Sequence, residues 1–158
     1  MLERLQLNPN RLSLQWVSAA EAPRFVSLIT SFSERIRELG SLGSSEGLDA
    51  DHLRVKLKAA VMALEGKRLR MVVARQAKFM KQGNTYREIP PDHKLIADWE
   101  KTVTEETASQ ALLLLLQERA RPVDELAGFL DLTSEDVIEY CKKLEKKQLV
   151  EPDRLIVT

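Results

Sequence analysis

Cysteine, histidine and aromatic residues are scarce in this sequence of 158 residues. The single cysteine, Cys141, excludes a disulfide within the chain and any metal site built from four of its own thiolates. His52 and His93 are too far from Cys141 and from each other to match a metal-ligand spacing. Aromatic residues make up only 5% of the chain and leucine dominates the apolar set, which favours helices over β-sandwiches and barrels.

The sequence also lacks net charge and long apolar runs. Its 24 Lys and Arg residues balance 24 Asp and Glu residues, so the whole chain lacks the basic excess that drives non-specific nucleic-acid binding. The longest apolar run, Ala111–Leu116, is too short to span a bilayer. Residues 1–15 do not have the charged segment and apolar stretch of a signal peptide. We therefore expect a cytoplasmic protein with no membrane span.

Catalytic signatures are missing as well. The sequence contains no Gly-rich phosphate loop, no Gly-x-Ser-x-Gly turn and no His-Glu-x-x-His helix. We expect no catalytic residues, no metal ligands and no cofactor-binding residues in this chain, and hence a protein that is not itself an enzyme.

Residues 1–40 have the pattern of a strand followed by a helix. Leu12, Leu14 and Trp16 alternate with polar residues, as in a half-buried strand. Ser18 and Glu21 have the spacing of a helix capping box. The helix that follows carries an apolar stripe and should end at a glycine: Phe25, Leu28, Ile29, Phe32, Ile36, Leu39 and Gly40. An isolated strand has unpaired backbone groups, so it needs either a partner sheet or a role covering the chain's own helices.

Residues 41–48 are small and polar and predict a linker, and residues 49–103 form a basic helical segment. Nine Lys or Arg residues and a single acid, Glu65, lie between Arg54 and Lys81. This charge favours an acidic protein partner, although the same pattern is typical of solvated helix faces. The candidate contact residues in this segment are Arg70, Arg75, Lys78 and, in the following loop, Tyr86, which alternatively packs on a neighbouring helix.

Residues 104–158 predict a winged helix-turn-helix. A connecting helix around residues 93–103 precedes a central helix over 105–119, and a short helix, Val123–Leu130, is followed by a third helix after the N-cap Thr133. Residues 148–158 contain two short apolar runs on either side of residues 151–154, which predicts a β-hairpin wing. Acids occupy the positions of the third helix that would meet DNA, which argues for a protein-binding domain. A DNA-binding transcriptional regulator remains the alternative function.

The stretch from Asn8 to Phe25 (NPNRLSLQWVSAAEAPRF) and the later FSERIRELG from Phe32 to Gly40 resemble the C-terminal end of the delta subunit of methyl-viologen-reducing hydrogenase. The resemblance covers about a quarter of the chain. It implies a context in which electrons pass between a hydrogenase or formate dehydrogenase and a heterodisulfide-reductase-type flavoprotein. The family's [2Fe–2S] cysteines lie upstream of the similar segment, and the printed sequence begins close to its start, so the resemblance carries no cluster ligand into this chain.

The resemblance and the unpaired strand together predict an accessory, non-catalytic docking subunit of a multisubunit electron-transfer complex. The [2Fe–2S] cluster and the flavin are expected in iron–sulfur and flavoprotein partner subunits. The segment 1–40 would dock the partner, with four candidate contact residues: Leu12, Leu14, Trp16 and Phe25.

Overall fold

A computed structural model describes residues 2, 5–83, 88, 89 and 91–157 of the chain. The described residues form six α-helices: α1 (Ala22–Leu39), α2 (Ala50–Glu65), α3 (Lys67–Gln82), α4 (Asp92–Glu118), α5 (Val123–Leu130) and α6 (Ser134–Lys146). Two short strands, β1 (Arg121–Pro122) and β2 (Leu155–Ile156), pair in parallel. The expected mainly helical class is confirmed. The chain divides into two compact units, unit 1 (Met1–Leu53) and unit 2 (Arg54–Thr158).

The helix of unit 1 begins and ends close to the predicted residues. The Glu21 carboxylate accepts a hydrogen bond from the Ser18 N–H at 2.8 Å, so the two residues of the predicted capping box do interact. Glu21 is itself the N-cap, three residues after the predicted one. At the other end Gly40 has φ 66°, a left-handed conformation that glycine adopts without a steric penalty.

The predicted strand over Leu12 to Trp16 is wrong. Leu12 has extended dihedral angles, φ −124° and ψ 134°, yet no other segment of the described chain pairs with residues 12–17. A β-ladder needs a neighbouring strand to accept and donate its backbone hydrogen bonds, and unit 1 offers none within its described residues. The alternation of apolar residues is therefore displayed by an extended segment outside any sheet.

Residues 41–48, the predicted linker, lie inside unit 1 as a series of turns. Gly43 has φ 87°, a backbone conformation that is strained for other residues, and a Cβ atom there would lie 2.8 Å from the Leu53 Cδ2 methyl of α2, which would have to move. The functional division of the chain into a docking segment, a linker and two further domains stays a prediction.

In unit 2, α4 is one continuous helix, whereas the sequence predicted separate helices over 93–103 and 105–119. No proline or glycine lies between Asp92 and Glu118 to end the first helix. The hydroxyls of Thr102, Thr104 and Thr107 each donate to the backbone carbonyl four residues earlier, at 2.7 to 2.9 Å, so these threonines are accommodated within the helix.

The core of unit 2 lies where the second half of α4 packs against α5 and α6. Its fully buried side chains come from all three helices: Leu112, Leu115, Leu116, Leu126, Val137 and Cys141. The predicted N-cap of α6 is confirmed, because Thr133 Oγ1 accepts a hydrogen bond from the Asp136 N–H at 3.1 Å. The two helices α5 and α6, joined by the turn over 131–133, thus pack on each other and on α4.

The predicted hairpin over 148–158 does not form among the residues that the structure describes. After α6 the chain turns at Gln148, which has φ 57°, and Pro152–Arg154 form a short 3-10 turn. Pro152 has no N–H to donate to a ladder, which disfavours a strand at that position. Leu155 and Ile156 pair instead with Arg121 and Pro122. The chain thereby returns to the residues that precede α5.

Candidate docking surfaces

Unit 1 exposes large apolar side chains that a folded domain would normally bury. We call them the N-terminal apolar surface; each is at least half exposed, and they are Leu12, Leu14, Trp16, Phe25, Val26 and Ile29. Trp16 is 84% exposed and Leu14 is 80% exposed. The structure thus places all four N-terminal candidates, Leu12, Leu14, Trp16 and Phe25, in contact with solvent. Exposed apolar side chains of this size are candidates for a binding surface.

The helix α1 carries the predicted apolar stripe, but no residue of α1 is buried. At about 100° per residue, Phe25, Ile29 and Ile36 share one stripe of the helix. Phe25 and Ile29 are exposed, and Ile36 is half-buried. The helix is therefore amphipathic without a complete partner for its apolar face within the described chain.

A clamp centred on Arg11 fixes the point from which the extended segment 12–17 starts. The Arg11 Nε–H donates to Glu46 Oε1 at 2.7 Å, and both side chains are only 8% exposed. Its terminal N–H groups donate to the last carbonyl of α1, that of Leu39, and to the two carbonyls that follow, those of Gly40 and Ser41, at 2.9 to 3.0 Å. A guanidinium at this end of a helix satisfies carbonyls that have no partner within the helix.

The hydrogen bonds from Arg11 stabilise the Glu46 carboxylate and lower its pKa from 4.5 to about 2. The Asn8 N–H also donates to Glu46 Oε1, at 3.0 Å. Sequence reasoning missed this clamp, because Arg11 and Glu46 are 35 residues apart and neither belongs to a recognisable motif. Arg11 and Glu46 come together only because residues 41–48, the predicted linker, fold back within unit 1.

The predicted basic contact residues lie on α3, where Arg70, Arg75 and Lys78 are all exposed. They do not form one cluster, because at about 100° per residue they spread over roughly 140° of the helix circumference. The Arg70 guanidinium donates to the backbone carbonyl of Glu65. Tyr86, the remaining candidate, lies outside the described residues.

A groove that sequence reasoning did not identify lies between α3 and α4, with a volume of about 380 Å³. Its lining consists of Val73, Gln76 and Met80 from α3 and Asp92, Leu95, Ile96 and Trp99 from α4. The helical period places Leu69, Val72, Val73 and Met80 on one side of α3, yet only Leu69 and Val72 are buried. The period alone does not show where the contact with the neighbouring helix ends.

The first turn of α6 is acidic, as the sequence indicated. Glu135 and Asp136 lie there, and Ser134 donates a hydrogen bond to Asp124 of α5 at 3.1 Å. One turn later Glu139 forms an ion pair with Lys143 at 2.6 Å. DNA phosphates would meet unfavourable charge at the end of the helix that normally reads base edges.

Cys141 lies at the centre of this domain, and its burial raises the pKa of the thiol to about 11. The described residues contain no group of three or more His, Cys, Asp or Glu side chains arranged to hold a metal ion. Among the same residues, no helix is both long and apolar enough to cross a membrane.

Comparison with known proteins finds a family match in the N-terminal quarter of the chain. Residues 1–40 match the family model described as methyl-viologen-reducing hydrogenase, delta subunit, which confirms the resemblance seen in the sequence. Over 44 residues, or 28% of the chain, the protein is 41% identical to one of the subunits of the ferredoxin:CoB-CoM heterodisulfide reductase of Methanosarcina mazei. This match spans 6% of the length of that relative. No solved structure matches the chain.

Proposed function

We propose that this chain is a non-catalytic docking subunit of an electron-transfer complex of the hydrogenase or heterodisulfide reductase type. One observation carries the proposal: residues 1–40, which match the delta-subunit family, are also the residues that display the N-terminal apolar surface. A segment related to redox complexes and rich in uncovered apolar side chains is suited to bind another component of such a complex.

The extended segment 12–17 suggests how the partner is bound. Within the described chain no hydrogen bond joins the backbone of residues 13–17 to another residue. A partner with an open sheet edge would pair with these backbone groups, as in β-strand addition, and would receive Leu12, Leu14 and Trp16 on one face. Tryptophan is among the residue types that contribute most to binding energy at protein interfaces.

The proposal assigns the redox groups to partner subunits. The only cysteine of the chain is buried in the core of unit 2, far along the sequence from the matched segment. A [2Fe–2S] cluster needs several thiolates, which an iron–sulfur partner would supply, and a flavoprotein partner would carry the flavin. This chain would complete the fold of the partner that holds the cluster and would dock it.

Residues 104–158 are proposed to be a helix-turn-helix domain that binds protein, in which the predicted hairpin wing does not form among the described residues. The packing of α5 on α6 across the turn over 131–133 supports the helix-turn-helix, and the acids Glu135, Asp136 and Glu139 support protein over DNA. The same helix-turn-helix favours the rival function, a DNA-binding regulator. A mobility-shift assay at two salt concentrations separates the two: salt-sensitive binding with a sequence preference supports the regulator, and no shift at low salt removes it.

The docking proposal is tested by anaerobic affinity purification of the chain, tagged at its C-terminus, from its native cells. Mass spectrometry would identify the bound subunits, and a visible absorption spectrum would report iron–sulfur and flavin groups. We expect cysteine-rich and flavin-containing subunits to co-purify in a coloured eluate. A colourless protein that elutes alone, or only with DNA, would contradict the proposal.

A matched pair of variants locates the surface in the same experiment. The double variant Trp16→Ala, Phe25→Ala removes two aromatic groups from the N-terminal apolar surface and should lose the coloured subunits. The control variant Val61→Ala, Met71→Ala removes two side chains of unit 2 that are 52% and 69% exposed, and should retain them. Loss from the control alone would place the docking surface in unit 2 instead.

A further inference from the structure

The groove between α3 and α4 is preformed and mostly apolar. Five of its seven lining residues are apolar, and three of these, Val73, Met80 and Ile96, are at least half exposed. Gln76 Nε2 donates to the Leu95 carbonyl at 2.8 Å and holds the two walls together. Nearer the other end of α3, Arg68 pairs with Glu105 at 2.5 Å, which fixes the helix pair independently of any ligand.

The two banks of the groove differ in charge. The α3 helix contains six Lys or Arg residues and no acid, and Lys67, Arg75, Lys78 and Lys81 form no ion pair within the described chain. At about 100° per residue, Arg70, Ala77 and Lys81 lie within roughly 80° of Val73, on the side of α3 that borders the groove. All three are exposed. On the α4 side Asp92 lines the groove, and Glu100 follows one turn after the lining residue Ile96.

We propose that this groove binds an amphipathic helix of a partner protein, whose apolar stripe enters the groove and whose acidic edge faces α3. From Val73 to Met80 the groove extends about 10 Å along α3, which matches two turns of a bound helix. Apolar residues at positions i, i+3 or i+4, and i+7 of the bound helix fill such a length. An acidic edge fits this bank because its two charged residues, Arg70 and Lys81, are both cations and neither forms an ion pair within the described chain. This second surface lies in unit 2 and does not depend on the N-terminal apolar surface.

Tryptophan fluorescence gives a direct test on the full chain. Trp99 lines the groove and is half-buried, and Trp16 is the only other tryptophan, so a Trp16→Phe background makes Trp99 the sole emitter. The probe is a synthetic helix of about 14 residues, or four turns, with a leucine stripe, a glutamate row along one edge and glutamine elsewhere. A matched probe carries lysine in place of each glutamate. We expect the emission of Trp99 to shift with the glutamate probe, with at least about tenfold tighter binding than the lysine probe at low salt.

Charge reversal of the α3 bank should reverse this preference. The double variant Ala77→Glu, Lys81→Glu changes two exposed residues of the helix surface, so that the lysine probe should bind more tightly than the glutamate probe. A control variant, Met71→Glu, places an acid on the opposite side of α3 and should keep the original preference. A second variant, Ile96→Glu, should weaken both probes by obstructing the apolar groove.

Several results would overturn the proposal. They are the absence of any emission change with either probe, equal binding of the two probes, or a preference that the Ala77→Glu, Lys81→Glu variant leaves unchanged. Sedimentation of the probe-free chain tests a second copy as the occupant. A concentration-dependent dimer abolished by Ile96→Glu but not by Met71→Glu would assign the groove to self-association. All of these readouts use unit 2, so failure here leaves the docking role of residues 1–40 standing.

Discussion

Replacing Trp16 with alanine should weaken partner binding strongly without destabilising the chain. Trp16 is 84% exposed in the free protein, so nearly its whole side chain is available to a partner. If about 200 Å² becomes buried, at about 25 cal/mol per Å² the upper limit is about 5 kcal/mol. Ordering of the side chain and of the extended segment offsets part of this gain. We therefore expect a loss of about 2 to 4 kcal/mol, or a Kd raised by about 30-fold to about 1000-fold.

The assay is a calorimetric titration of the chain against the partner subunit recovered by anaerobic purification. Met71→Ala is the control, because Met71 is 69% exposed and lies outside the N-terminal apolar surface. Thermal unfolding of Trp16→Ala should match that of the wild type, since an exposed side chain contributes within about 0.5 kcal/mol to stability. A Kd for Trp16→Ala within twofold of the wild type would refute the reasoning, because the most exposed aromatic group among the described residues would then contribute nothing to binding.

Three further predictions concern the folded chain. Leu112→Ala removes a fully buried side chain from the core of unit 2 and should lower the free energy of unfolding by about 2 to 5 kcal/mol in a urea titration. The pKa of Glu46 is lowered to about 2, so its contribution to stability should be complete above pH 4.5 and disappear as the pH falls towards 2; Glu46→Gln should abolish this dependence in acid titrations followed by circular dichroism. Burial raises the pKa of Cys141 to about 11, so a thiol reagent at pH 8 should label it slowly in the native chain and rapidly in urea; rapid native labelling would contradict the described burial.

The parts of the fold that the sequence predicts well depend on neighbouring residues. The cap of α6 follows from Thr133 and Asp136, three residues apart, and the end of α1 follows from Gly40. Such signals act over one helical turn, so they are visible without knowledge of the tertiary structure. The buried position of Cys141 was likewise predictable, because it falls on the apolar stripe of its helix.

The predictions that failed required knowledge of distant partners. The period-2 pattern of residues 12–17 is typical of a strand, but pairing depends on a second strand that the described part of unit 1 does not provide. The hairpin over 148–158 failed because Leu155 and Ile156 found a partner more than thirty residues earlier, at Arg121 and Pro122. Residues 12–17 are extended but unpaired, and of residues 148–158 only Leu155 and Ile156 form a strand, so in neither case did the local pattern determine the neighbouring segment.

The candidate surfaces show the same division. The sequence did not show whether the four N-terminal candidates, Leu12, Leu14, Trp16 and Phe25, are exposed. A stripe of apolar residues has the same periodicity whether it is buried or exposed. The α3–α4 groove depends on how far along α4 the two helices remain in contact, and the Arg11–Glu46 clamp depends on the path of residues 41–48. The residue types in these surfaces indicate the chemistry of a binding partner. Only the packing of the folded chain shows which side chains are exposed and can bind one.

Amide hydrogen exchange of residues 12–17, compared between the free chain and the purified complex, tests the docking role most directly. Backbone N–H groups of an exposed, unpaired segment exchange rapidly, whereas those paired to a partner's sheet edge are protected. We predict that the backbone N–H groups of residues 13–17 exchange rapidly in the free chain and become strongly protected in the complex. Unchanged exchange throughout residues 12–17 in a complex that is fully assembled would contradict the assignment of this segment as the docking element.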